Sequence, residues 1–220
     1  MCNLYAITKG QAAIRALFRI ARDNTGNLPP MPGVFPDYAA PIVLVGPDGR
    51  ELALARWGMP SPVFALKGRT TDPGVTNVRN VKSPHWRRWL GEGCRSVVPF
   101  TSFSEYETTA EGKKVPAWFA LDPSRPLAAF AGIWTSWMSV RKAKEGEVTT
   151  DVFAFLTTDA NAIVAPIHPK AMPVILRTED EVETWLRAPA AEALALQRPL
   201  PDDALRIVAR GERKDEAPGL

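Results

Sequence analysis

The sequence predicts an α+β protein: a single domain with a predominantly antiparallel β core and short flanking helices. Three observations carry that expectation. Short apolar runs recur along the chain between Gly, Pro, Asn and Asp turns. Helical periodicity is confined to brief segments. The 220 residues, 45% of them hydrophobic, suffice for one full core without staples.

Residues 2–8 read as a short strand, and Ile14, Leu17, Phe18 and Ala21 follow at the i, i+3, i+4, i+7 spacing of a helix. Leu28 to Pro36 is Pro-rich and reads as a loop. Residues 41–45 and 51–57 flank Pro47-Asp48-Gly49 and read as a β-hairpin. Gly58 to Thr76, punctuated by Pro60, Pro62, Gly68, Pro73 and Gly74, reads as a long loop, which in a compact domain is expected to serve a function. Ser83 is expected to cap a short helix with Pro84 in its first position and Trp86, Trp89 and Leu90 along it. Residues 96–107, 115–121, 127–137 and 152–158 read as consecutive antiparallel strands. Residues 172–176 and 205–210 are later strands. Between them a helix starts at Thr178, with Glu181 in capping-box register, and continues through Trp185 and Leu194. The domain spans 1–210, and the polar tail 211–220 is expected to fray.

Composition narrows the function. Cys2 and Cys94 are too few for a disulfide framework and lack the spacing of a zinc site, so neither metal nor cofactor is expected. The first twenty residues hold no signal-peptide run, and no segment approaches the ~18–20 apolar residues that span a membrane. A cytoplasmic protein without a membrane partner is expected. The net charge is only +3, yet Lys67 to Arg95 carries seven basic residues against two acidic ones, while Thr178 to Asp203 is acidic. Trp86 and Trp89 lie in that basic window and Trp57 just before it. Cations interleaved with aromatics suit single-stranded nucleic acid, although Trp at helical spacing also builds cores.

Cys2 is the most informative position. Removal of Met1 leaves a thiol and a free α-amine on one residue, with ordinary pKa values of ~8.5 and ~7.7–8.0. Such a 1,2-aminothiol condenses with an aldehyde to an imine and closes through sulfur to a thiazolidine. The same nucleophile can attack an amide, and a buried cysteine can equally be a small core residue. His168, in a loop before an apolar strand, is a better acid–base candidate than His85. Glu105 shares strand parity with Phe103 and is expected to point inward, where burial raises its pKa or an ion pair with Arg79 or Arg95 holds it. Asn77 and Arg79 alternate around Val78, so a strand would place both on one face, where an amide and a guanidinium suit a sugar or phosphate.

Taken together, several motifs resemble the SOS-response-associated peptidase family, the abasic-site processing proteins. They are Met1-Cys2, Arg56-Trp57-Gly58-Met59-Pro60, Asn77-Val78-Arg79, Arg95 to Pro99 with Phe103-Ser104-Glu105, Ala131-Gly132-Ile133-Trp134, Phe155-Leu156-Thr157-Thr158, and Ile167-His168 leading to Met172-Pro173-Val174-Ile175-Leu176. The resemblance implies a barrel-like β core and a monomer that binds single-stranded DNA containing abasic sites, drawing it to the nucleoid when DNA is damaged. It implies an exposed Cys2 forming a thiazolidine with the ring-opened sugar, Asn77 positioning Cys2, and Glu105 with His168 as the acid–base pair. Arg79 becomes the phosphate contact, and Trp57, Trp86, Pro36, Arg87 and Arg88 help form the DNA groove. The peptidase label implies self-removal of Met1. The chain departs from the family pattern in having Asn3-Leu4 where Gly-Arg is usual, Asn80 for an acidic residue, Thr101-Ser102 for Asp-Gly, and Tyr106 for Trp. Two other readings stand beside this one: an N-terminal-cysteine amidohydrolase or protease, which needs no basic groove, and a non-covalent DNA-binding module, which needs no Cys2.

Overall fold

The computed structural model describes residues 2–216. Its first half contains β1 (Tyr5–Ile7), α1 (Gln11–Leu17), β2 (Ile20–Asp23), β3 (Met31–Val34), β4 (Ala39–Gly46), β5 (Gly49–Trp57), α2 (Val63–Leu66), β6 (Asn77–Val78) and α3 (Pro84–Arg87). Then follow β7 (Arg95–Phe100), β8 (Ser102–Thr108), β9 (Lys114–Ala120), β10 (Ala128–Ser139), β11 (Val148–Thr158), β12 (Met172–Pro173), β13 (Ile175–Leu176), α4 (Glu179–Arg187), α5 (Ala190–Leu194) and β14 (Arg206–Arg210).

Five strands close a ring, β5-β4-β7-β10-β11 and back to β5, which is the barrel-like core. The closing pair, Val152 opposite Arg56 and Phe153 opposite Trp57, is parallel; the other four pairings of the ring are antiparallel. A second, antiparallel sheet of order β14-β9-β8-β1-β3 packs against the barrel. Tyr5 is the rivet between them, with ring centroids 5.0 Å from Trp57, 5.7 Å from Phe130 and 6.1 Å from Phe155, all edge-on. Each such aromatic pair adds about 0.5–1.5 kcal/mol beyond the area it buries. The α+β class with short helices is as the sequence predicts.

Several elements differ from expectation for identifiable reasons. The first helix stops at Leu17 because Arg19 takes a left-handed backbone (φ 50°), and Ala21 joins β2, pairing in parallel with β5. The buried Arg50 guanidinium accepts that ending: its Nη1 donates to the Phe18 carbonyl at 3.2 Å. Met31–Val34, read as loop, is an edge strand beside β1. The run 96–107 is two strands, because Thr101 turns the chain from the barrel into the second sheet; its N–H donates to Ala6 O at 2.8 Å and its hydroxyl accepts from Thr8 N at 3.1 Å. For the same reason β9 and β10 lie in different sheets rather than pairing in succession. Ser83 makes no side-chain cap, whereas Thr178 Oγ1 accepts from Glu181 N at 3.2 Å and Glu181 reaches back to Arg177 N at 2.7 Å. Helix α4 ends before Pro189, which cannot donate to the ladder and forces Ala188 extended.

The tail, expected to fray, is tied down as far as Asp215, and residues 217–220 lie outside the described part. Gly211 N donates to Pro116 O at 2.9 Å, Trp118 Nε1 to Glu212 O at 2.8 Å, and Asp215 N to Pro32 O at 2.9 Å. The buried Asp215 carboxylate accepts from Arg125 Nε at 2.7 Å, Arg125 Nη2 at 2.9 Å and Ser102 Oγ at 2.5 Å. Removing one partner strands a buried charge, so Asp215→Ala is expected to cost about 3–5 kcal/mol and lower the Tm by roughly 10 °C in thermal unfolding.

Candidate active site

The four residues singled out for chemistry come from four separate segments that the two sheets bring together. Antiparallel pairing of β1 with β8 sets Tyr5 opposite Phe103, and Ser104 N donates to Leu4 O at 2.8 Å, which carries Cys2 toward Glu105. Strand β6 lies parallel to β11, with Asn77 opposite Phe155. From there Asn77 Nδ2 donates to the Cys2 carbonyl at 2.8 Å and to Thr76 Oγ1 at 2.8 Å, while Thr76 Oγ1 donates to Asn3 Oδ1 at 3.2 Å. His168 sits on the turn between β11 and β12, its N–H on Val164 O at 2.8 Å. Asn161 bolts that turn, donating to Leu200 O at 3.1 Å and accepting from Val164 N at 3.1 Å. His168 Nδ1 lies 3.8 Å from Glu105 Oε2.

Glu105 is inward, as its parity with Phe103 predicts, and burial raises its carboxyl to about 7. Burial pushes His168 below its ordinary value, and nearby positive charge, Lys170 included, adds to the shift. Near pH 7 the pair therefore holds a carboxyl that is about half protonated beside a neutral imidazole, one group able to give a proton and one able to take it. Burial and, after it, Glu105 push the Cys2 thiol far up, with backbone amides of Leu4 and Ser104 pulling the other way. Neither alternative partner holds Glu105: Arg79 is engaged by Asp159 and Lys170 O, and Arg95 by the carbonyls of Leu90 and Ala188.

The raised Glu105 pKa has a defined signature in stability. Between about pH 4.5 and about 7 the folded state keeps a proton that the unfolded state has lost, so this group's contribution falls as pH rises through that window. His168, depressed, works in the opposite sense. The difference in unfolding free energy between wild type and Glu105→Gln isolates the carboxyl: the variant should gain on the order of 3 kcal/mol relative to wild type from pH 4.5 to 8, by urea titration at each pH.

Other expectations need correction. With Met1 still attached, Cys2 is 1% exposed, its Sγ on Leu4 O at 3.4 Å, so the thiol is enclosed rather than exposed. Met1, whose removal the sequence reading requires, lies outside the described residues. Trp57 cannot stack a base: it is fully buried, 5.3 Å from Phe155 and 6.4 Å from Phe153 in stacked geometry, with Nε1 donating to Thr76 O at 3.1 Å. Trp86 is buried too, packed edge-on to His85 at 4.4 Å, and His85 is held by Pro60 O at 2.9 Å. Asn77 and Arg79 do not share a face; Asn77 points into the protein and Arg79 out of it. Arg87 and Arg88 are exposed, Arg88 lying 4.0 Å above the Trp89 ring, and Pro36 is half-buried before β4. The long loop after Gly58 is anchored by Met59 paired with Val75 and by Arg141 on the carbonyls of Gly58 and Asp72, and it presents Val63 and Phe64 to solvent.

Sequence reasoning missed Tyr5, Ser104, Thr76 and Asn161. Tyr5 O–H, Ser104 Oγ and Asn77 Oδ1 are buried with no hydrogen-bond partner among the described residues. Buried polar atoms without partners are scarce in proteins; Asn77 is a residue the sequence singles out, whereas the only sequence signal for Tyr5 and Ser104 is their closeness to Cys2 and Glu105. Among the described residues no group of three or more His, Cys, Asp or Glu is placed to hold a metal ion, and no helix is long and apolar enough to cross a membrane.

A closed small barrel, a docked second sheet, and a thiol, a carboxyl and an imidazole gathered at their junction define the class: an α+β protein whose second residue lies in its site. The chain belongs to the SOS response associated peptidase (SRAP) family, whose description fits residues 1–210. Its fold is shared with a Bordetella bronchiseptica protein at 23% identity, TM-score 0.71, over 96% of this chain and 98% of that one. A Bacteroides thetaiotaomicron protein matches at 21% identity and TM-score 0.67, over 93% of this chain and 90% of that one. A phage-related Bordetella bronchiseptica protein matches at 20% identity and TM-score 0.67, over 93% and 92%. Among curated proteins no match is found.

Proposed function

We propose that the protein, once Met1 is removed, captures abasic sites in single-stranded DNA covalently through Cys2. The observation that carries this reading is the convergence of Asn77, on the Cys2 carbonyl at 2.8 Å, with Glu105 and His168, 3.8 Å apart. Loss of Met1 turns the Cys2 nitrogen from an amide into an amine. Protonated Glu105 gives its proton to the ring oxygen and its carboxylate takes back the proton of the anomeric hydroxyl as the sugar hemiacetal opens to an aldehyde. The amine adds to the aldehyde carbon, neutral His168 takes the proton released, and the adduct loses water to an imine. The S–H bond then adds across the C=N bond, sulfur to carbon and hydrogen to nitrogen, closing a thiazolidine with one water lost overall. Until Met1 is removed the Cys2 nitrogen is an amide that cannot condense with an aldehyde, so the chemistry waits for processing.

Incubation with an oligonucleotide bearing one abasic site should give a heat-stable, slowly migrating band, absent with an undamaged oligonucleotide and absent for a chain with a non-removable N-terminal extension. No band with the processed chain would overturn the reading. An N-terminal-cysteine amidohydrolase would use the same thiol without the basic surface. Charge reversal at Arg79 and Arg88 should impair DNA capture strongly, whereas an amide-cleaving enzyme would keep its turnover.

A further inference from the structure

Arg79 is held by two groups at opposite ends of one segment. Its Nη2 donates to the Asp159 carboxylate, just after β11, and its Nη1 donates to the Lys170 carbonyl at 3.2 Å, just before β12. Between those ends lies the turn that presents His168. The main chain at Arg79 is fixed independently: Gln197 Nε2 donates to Arg79 O at 2.9 Å and to Thr157 O at 3.0 Å. The two carbonyl contacts tie the arginine to structure, whereas the Asp159 side chain is 83% exposed and the Arg79 side chain 43%.

We infer that Asp159 is an internal stand-in for a phosphate group, occupying Arg79 until a nucleic-acid backbone displaces it. A carboxylate and a phosphodiester each offer a guanidinium an anionic oxygen pair, so they compete for the same N–H groups. An ion pair this exposed is weak, which makes it replaceable. The Lys170 carbonyl and Gln197 keep Arg79 in place when Asp159 leaves, so exchange does not dismantle the turn that carries His168. Asp159 thereby sets affinity for the strand without touching the reacting atoms. This inference rests on the proposed function, and its test separates the two.

The measurement is equilibrium binding of a fluorescent single-stranded oligonucleotide without an abasic site, so that no covalent step intervenes. The proteins are wild type, Asp159→Asn, Arg79→Gln and the double variant, compared at two salt concentrations. Asp159→Asn should bind about two- to fivefold more tightly than wild type at low salt, the range an exposed ion pair spans. The gain should vanish in the Arg79→Gln background, because the competition acts through that guanidinium. Equal affinity of Asp159→Asn and wild type would overturn the inference and leave the proposed function standing. A gain that persists without Arg79 would also overturn it, since it would reflect loss of a negative charge anywhere on the surface. Absence of binding by all four proteins would overturn the inference, while the covalent band with the abasic oligonucleotide alone decides the proposed function.

Discussion

Cys2→Ser is expected to eliminate the heat-stable adduct while preserving a weaker, reversible one. The variant keeps its α-amine after processing, so the imine with an abasic sugar still forms. A serine hydroxyl is a far poorer nucleophile than a thiol toward C=N, so the closing step fails. The imine hydrolyses on heating. Two assays separate these steps: the heat-resistant band should fall to background, and borohydride reduction before heating should restore a band by fixing the imine. Cys2→Ala should behave alike, since it too retains the amine. A heat-stable band of wild-type intensity in either variant would place the capture elsewhere in the chain.

Glu105→Gln should slow adduct formation by about 10²–10⁴-fold, the range that positioned proton transfer contributes. Gln preserves the shape of the side chain and can still donate and accept hydrogen bonds, but it cannot release a proton. Burial that raises the carboxyl to about 7 makes it an acid near neutrality and at the same time a liability once ionised. The same substitution should therefore stabilise the fold above neutral pH while disabling the chemistry. Wild-type rates should decline as pH rises above about 7, following loss of the Glu105 proton. A variant that is destabilised at high pH, or that reacts at the wild-type rate, would remove Glu105 from its assigned role.

Much of the barrel was legible because its strands carry long apolar runs between turn residues: residues 128–137 of the run read from 127 fall within β10, 152–158 fall within β11, and the hairpin around Pro47-Asp48 is as read. What escaped depends on partners distant in sequence. The strand Met31–Val34 has a Pro and a Gly and is a strand only because β1 lies beside it. The break at Thr101 follows from hydrogen bonds to Ala6 and Thr8, and the ordered tail from hydrogen bonds with Pro116, Trp118 and Pro32 together with a buried carboxylate meeting Arg125. None of these has local periodicity.

At the site, Cys2, Asn77, Glu105 and His168 could be singled out by residue type and strand parity, and the fold gathers them. The groove aromatics could not be sorted the same way, because a tryptophan beside arginines reads alike whether it faces solvent or the core. Trp57 and Trp86 are core. That leaves exposed cations, Arg87, Arg88 and Lys170 among them, as the surface on which the proposed strand would lie. The electrostatic part of binding should accordingly dominate and weaken with salt.

The central claim is that the nitrogen and sulfur of Cys2 together hold the captured sugar. Its most direct test is peptide mapping by mass spectrometry of the heat-stable species after protease and nuclease digestion. The account predicts an N-terminal peptide beginning at Cys2, heavier by the sugar remnant less one water, with its thiol no longer alkylatable. A sugar found on any other residue, or an adduct on a peptide that still begins with Met1, would contradict it.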